Sequence, residues 1–124
     1  MVSIIDSFRL DGRVALVTGA GKGIGEGIAL GMAEAGADVA LVARTAADLE
    51  RVATTIRRLG RQALVVPADL AQVETLPDVV TRVLAAYPRI DILVNVAGMQ
   101  RRMTVLEATV AGWQQVLDTN LRSA

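Results

Sequence analysis

The sequence predicts an α/β fold, one parallel β-sheet with helices packed on both of its faces. Three observations predict it. Short apolar runs recur at residues 13–18, 38–43, 62–67 and 91–96, and near-continuous apolar runs mark strands buried on both sides. Between them lie segments with apolar residues at helical spacing, so that strand and helix alternate along the whole chain. The first strand runs directly into four glycines, Gly19, Gly21, Gly23 and Gly25, and then into an apolar-faced helix.

Each element has its own signal. Residues 1–12 read as a short irregular arm ending in a turn at Asp11 and Gly12. The first strand is 13–18 and the first helix 24–35, with Gly36 placed to end it in a left-handed conformation. The second strand is 38–43. Thr45 and Asp48 have the spacing of a capping box, and the helix behind them sets Leu49, Val52, Ala53, Ile56 and Leu59 on one face, with Gly60 closing it. The third strand is 62–67. The third helix spans 72–87, with Val73, Leu76, Val80, Val83 and Leu84 facing inward. The fourth strand is 91–96, followed by a loop over 97–108 and a last helix from Thr109. Right-handed crossovers then give the strand order 3-2-1-4, a doubly wound arrangement whose switch point lies between the first and fourth strands. Ligands of such sheets bind at that point. No linker, repeat or low-complexity stretch divides the chain, so residues 1–124 read as one domain.

Composition narrows the function. Apolar residues make up 52% of the chain, enough for a core, and the formal net charge is zero. A neutral chain argues against nucleic acid or an anionic membrane as the main partner. There is no cysteine and no histidine, so a disulfide framework, a thiol nucleophile and the commonest metal ligand are all missing. No metal site is expected. Asp6, Arg9 and Asp11 break the apolar run at the start, which argues against a signal peptide, and no stretch has the length of a membrane-spanning helix. A cytoplasmic protein is the expectation.

The glycine stretch carries the chemistry. A strand, a glycine turn and a helix N-terminus in that order form an anion site, because backbone N–H groups and the helix dipole converge there. Glycines let a phosphate approach the backbone and supply positive φ in a tight turn. The alternative is a strand–helix turn that needs small residues for packing alone. From Thr18 the spacing reads Thr-Gly-x-x-x-Gly-x-Gly, on Thr18, Gly19, Gly23 and Gly25. It differs from the G-x-G-x-x-G dinucleotide fingerprint. It resembles the glycine motif of the short-chain dehydrogenases/reductases, which implies a Rossmann-like, NAD(P)-binding domain. No Gly-Lys-Ser/Thr follows the glycines, which excludes a P-loop.

The second strand ends at Arg44 and Thr45. An acidic residue at this strand end would hold a ribose 2′-hydroxyl, whereas arginine suits a 2′-phosphate. Lys22, the only lysine, sits in the glycine turn within reach of the same group. Two cations and no carboxylate favour NADP(H), with NAD(H) as the second choice; the alternative is a pair of solvated surface cations. The cofactor-binding candidates are thus Thr18, Gly19, Gly21, Lys22, Gly23, Ile24, Gly25, Arg44, Thr45, Asp69, Leu70, Asn95, Ala97 and Gly98.

Several of these rest on the resemblance. Asp69 follows the third strand, and its family counterpart contacts the adenine ring; read alone it is an N-cap or turn residue. Asn95-Val-Ala-Gly98 is similar to the family's Asn-Asn-Ala-Gly motif, with Val96 departing from it. The stretch from Trp113 to Asn120 resembles the one that delivers the family's catalytic asparagine, which makes Asn120 the catalytic candidate. The implied role is to kink the helix and hold a water in a proton relay; the alternative is an ordinary polar helix position. Four motifs occur in the family's order.

The family's serine and Tyr-x-x-x-Lys pair have no match. Tyr87, the only tyrosine, is followed four residues on by Asp91, and Ser123 lies too close to Asn120. The expectation is a cofactor-binding half whose sheet is incomplete at its C-terminal side. It is a fragment of a longer oxidoreductase or, alternatively, a truncated, non-catalytic dinucleotide-binding module. The 124 residues alone are expected to be inactive. The opening residues and the run Gly98-Met-Gln-Arg-Arg102 resemble gluconate 5-dehydrogenases and 2-deoxygluconate 3-dehydrogenases. That implies a small hydroxyl or carbonyl substrate such as a sugar acid. Arg101 or Arg102 would fork its carboxylate, the alternative being a solvated loop. The resemblance also implies a homo-oligomer, tetramer or dimer.

Overall fold

The computed structural model describes residues 1–124. One parallel sheet contains β1 (Val14–Thr18), β2 (Asp38–Ala43), β3 (Ala63–Pro67) and β4 (Ile92–Val94), in the expected order β3-β2-β1-β4. The helices are α1 (Gly23–Glu34), α2 (Ala46–Arg58), α3 (Leu76–Ala86) and α4 (Val110–Leu117). Register pairs Thr18 with Val42 and Ala43 with Pro67, while Val17 pairs with Val94. The strands therefore release their loops at one edge of the sheet.

Alternation along the strands splits the core in two. Val17, Val39 and Leu41 pack with Ala29 and Ala33 of α1 and with Leu49, Val52 and Ile56 of α2. Leu16, Ala40, Val42 and Val66 pack with Val79 and Val83 of α3 and with Tyr87. Gly36 (φ 111°) and Gly60 (φ 82°) follow α1 and α2 in the left-handed region, where a glycine avoids the Cβ strain of other residues. No helix is long and apolar enough to cross a membrane.

Local expectations are corrected in four places. The arm contains a short 3-10 turn, Asp6–Phe8. The Thr45 side chain makes no cap hydrogen bond; the expected partner Asp48 instead lies against Gly21, so the capping box is not formed. A 3-10 turn at Val73–Thr75 precedes α3 and sets its phase. The buried residues of α3 are Val79 and Val83, one turn apart, whereas Val80 and Leu84 are exposed. Finally, β4 stops at Val94, short of the expected residue 96, because the next amides turn to a side chain of β1.

Candidate functional site

A cleft of about 350 Å³ opens at the edge where the strands release their loops. Gly19, Gly21, Lys22, Ile24 and Gly25 form its wall after β1, and Ala43, Arg44, Thr45 and Asp48 its wall after β2. Ala68, Asp69, Leu70 and Ala71 follow β3, and Val96, Ala97, Gly98 and Met99 follow β4. Gln115 and Thr119 close it from the α4 side.

The glycine turn is shaped by the protein's own backbone. Gly19 has φ 65°, and a Cβ there would lie 2.9 Å from the Ala97 nitrogen. A Cβ on Gly25 would collide with the Gly19 carbonyl oxygen, so α1 can start this close to β1 only with a glycine at position 25. A Cβ on Gly21 would stand 3.1 Å from Asp48 Cβ. Gly23 differs: its φ is 58°, and a Cβ there would meet nothing within 4 Å. Lys22, at the N-cap of α1, offers no side-chain cap, which leaves first-turn N–H groups without an intrahelical partner. Arg51 fastens the turn from outside. Its Nη1 donates to Glu26 Oε1 at 2.6 Å, and its Nη2 donates to Glu26 Oε2 at 3.1 Å and to the Gly21 carbonyl at 2.9 Å. That contact holds the Glu26 carboxyl below the usual carboxylate range.

Thr18 stands behind the cleft wall. Its hydroxyl accepts hydrogen bonds from the Val96 and Ala97 amides, both at 3.1 Å, and donates to the Val94 carbonyl at 3.4 Å. It therefore couples the end of β1 to the loop after β4. Asn120 lies in a π-helical turn, Asp118–Arg122, that continues α4. Its Oδ1 accepts from the Met99 amide at 2.7 Å and its Nδ2 donates to the Met99 carbonyl at 2.8 Å. The helix is thus distorted at Asn120, and the side-chain amide holds the loop that lines the cleft.

Of the expected site residues, Gly19, Gly21, Lys22, Ile24, Gly25, Arg44, Thr45, Asp69, Leu70, Ala97 and Gly98 share the cleft. Thr18, Gly23, Asn95 and Asn120 do not line it. Asp69 Oδ1 accepts from the Ala71 amide at 3.0 Å, the local turn contact that its sequence position also allows. Arg101 is outside the cleft as well, with Nη2 donating to Gln115 Oε1 at 3.0 Å, and Arg102 is exposed. Gln115, the hydrogen-bond partner of Arg101, itself lines the cleft. Sequence reasoning missed Asp48, Met99, Gln115 and Thr119. The spacing of Gln115 and Thr119, one helical turn apart on the element that delivers Asn120, was the available signal.

Tyr87 packs with Val14 and Leu16 in the core, 6% exposed. Burial, and secondarily the Asp38 carboxylate, pushes its phenol up. Asp38 pairs with Val14 at the start of β1, the end of the sheet opposite the cleft.

A doubly wound parallel sheet with a glycine turn and an uncapped helix N-terminus at its switch point is an arrangement suited to anionic ligands. The family model described as short chain dehydrogenase matches residues 13–124, and the chain belongs to that family. It is 42% identical over 121 residues to 2-dehydro-3-deoxy-D-gluconate 5-dehydrogenase of Pseudoalteromonas atlantica, covering 97% of this chain and 48% of that protein. The crystal structure of a short-chain type dehydrogenase/reductase from Mycobacterium marinum superposes with a TM-score of 0.92 at 36% identity, over 98% of this chain and 49% of that one. L-Sorbose reductase from Gluconobacter frateurii, solved with NADPH and L-sorbose, gives 0.88 at 35% identity, over 94% and 44%. The chain spans about half the length of the curated relatives it matches.

Proposed function

We propose that the protein carrying this chain is an NADP(H)-dependent oxidoreductase that interconverts an alcohol and a ketone on a small polar substrate, a sugar acid of the gluconate type. The observation that carries the reading is the pair Lys22 and Arg44. Both line the cleft, and neither takes part in any of the seven ion pairs of the chain. The donor set fits a dinucleotide that bears an extra phosphate. Uncapped N–H groups of α1 suit the pyrophosphate. Lys22 and Arg44 suit a 2′-phosphate. Asp69 and Leu70 border the adenine end, and Ala97 and Gly98 the opposite wall. The NADPH bound to L-sorbose reductase and the gluconate-type substrate in the relative's name support the same assignment.

When bound, the nicotinamide supplies or accepts the hydride. A hydride moved to or from a carbon that bears oxygen must be matched by a proton on that oxygen, which needs a positioned acid–base group. These residues hold no histidine or cysteine, and Tyr87 is buried at the far end of the sheet. Asn120 is engaged with Met99 on both sides of its amide. It orders the cleft loop and supplies no proton at neutral pH. The 124 residues therefore bind nucleotide without turnover, the acid–base group coming from outside them. The assembled enzyme is a homo-oligomer in this reading.

Titration calorimetry with NADPH and NADH tests the cofactor assignment. A charge-assisted phosphate contact contributes roughly 1.5–3 kcal/mol, about ten- to a hundredfold in affinity. NADPH binds tighter by that factor, and Arg44→Asp removes the difference. Equal binding of both cofactors by the unaltered chain overturns the assignment. NADPH absorbance followed with 5-ketogluconate and the pure chain stays at the no-protein rate; oxidation above it reveals an acid–base group among these residues.

A further inference from the structure

We propose that Asp48 is a cofactor-specificity residue, a carboxylate placed to repel the 2′-phosphate that Lys22 and Arg44 attract. The inference rests on the nucleotide-binding reading of the cleft. Asp48 lines the same corner as Lys22, Arg44 and Thr45. It is half-buried in the first turn of α2, and its Cβ lies so close to Gly21 that a side chain there would press on it at 3.1 Å. Its carboxylate accepts no hydrogen bond and joins none of the ion pairs of the chain. The nearest arginine along α2, Arg51, is committed to Glu26 and to the Gly21 carbonyl. Arg51 feels the Asp48 carboxylate only through space, so Asp48 keeps no direct partner in the fold and lines the corner with its carboxylate unpaired.

The electrostatics follow from the charges present. Lys22 and Arg44 attract a phosphate, Asp48 repels it, and the corner keeps one net positive charge. A carboxylate is also the acceptor that suits an unphosphorylated ribose hydroxyl. The corner thus combines the features of both cofactor types, with the acidic one moved from the end of β2 to the first turn of α2. Asp48 restrains the preference for the phosphorylated cofactor and keeps affinity for the unphosphorylated one.

Asp48→Asn keeps the volume and removes the charge. Dissociation constants for NADPH, NADH, 2′,5′-ADP and 5′-ADP are measured by calorimetry on the 124-residue chain and the variant. Relief of a like-charge contact at this range in a partly wet cleft tightens the phosphorylated ligands about three- to thirtyfold. NADH and 5′-ADP stay level or weaken. Asp48→Ser gives the same direction, and circular dichroism with thermal melts confirms that both variants are folded. An unchanged ratio between phosphorylated and unphosphorylated ligands overturns the inference, as does an equal shift in all four, which would mark Asp48 as a prop for Gly21. If the unaltered chain prefers NADPH and the ratio does not move in the variants, the inference alone falls. If the unaltered chain binds none of the four, the nucleotide-binding reading falls with it.

Discussion

Arg51 of α2 grips Glu26 of α1 through both terminal guanidinium nitrogens, at 2.6 and 3.1 Å. The second nitrogen also holds the Gly21 carbonyl at 2.9 Å. In a trans peptide the carbonyl and the following N–H point opposite ways, so this contact also sets the direction of the Lys22 amide.

Arg51→Ala is expected to weaken NADPH binding by up to about fivefold, the range of a modest surface contact, with little change in melting temperature. Arg51→Lys recovers only part of it, because an ammonium cannot fork a carboxylate and reach a carbonyl in one plane. Amide exchange over residues 19–23 is the structural readout. Arg51 lowers the Glu26 carboxyl, so the pair persists through the ordinary glutamate range and is lost only as pH falls through the lower folded value.

Gly25→Ala sets a methyl group against the Gly19 carbonyl oxygen. Overpacking of this kind costs about 1–3 kcal/mol, and the collision is with backbone that cannot step aside. Gly27→Ala and Gly31→Ala lie on the same helix, where a Cβ meets nothing within 4 Å, and each should stabilise by up to about 1 kcal/mol. Urea midpoints of the three variants give opposite signs. A neutral Gly25→Ala would refute the close approach of α1 to β1.

Thr18→Val removes the acceptor of the Val96 and Ala97 amides while keeping the shape. Leaving such groups without a partner costs about 1–3 kcal/mol. Nucleotide affinity falls with it, since Ala97 and Gly98 line the cleft. Thr18→Ser retains the oxygen and recovers most of the affinity. If Thr18→Val binds NADPH as tightly as the unaltered chain, the hydroxyl does not organise the loop after β4.

At the other end of the sheet, Asp91 Oδ2 accepts from the Val14 amide at 2.8 Å and Oδ1 accepts from Arg89 Nε at 2.8 Å. The Val14 amide first, then Arg89 and Arg13, hold its carboxyl below the usual range. A lowered folded value means stability that is present above the unfolded value near 4 and lost as pH falls through the folded one. Acid should therefore loosen the β1–β4 pairing. Asp91→Asn is less stable than the unaltered chain at pH 7, and the gap narrows toward pH 2 in urea titrations. A constant gap would show that the Asp91 charge carries no part of the effect.

Much of the molecule is legible along the chain. The alternation of apolar runs and helical faces determined the element order, the strand order 3-2-1-4 and the site at its switch point. Arg44 and Lys22 could be assigned to one corner because the end of β2 and the glycine turn are neighbours in any sheet of this topology. Local pattern is enough there, since each element carries its own periodicity and the crossover rule joins them. Tertiary packing decided the rest. Thr45 and Asp48 have the spacing of a capping box, yet Asp48 backs onto Gly21, because the glycine turn before α1 packs on the first turn of α2. Val79 is buried where Val80 was expected, because a 3-10 turn before α3 rotates its face. Gln115 and Thr119 reach the cleft, and Asn120 clasps Met99, only because α4 and the turn after it fold back over the loop after β4. Met99 and Asn120, 21 residues apart, meet there through the path of the whole chain, and no short-range periodicity records such a path.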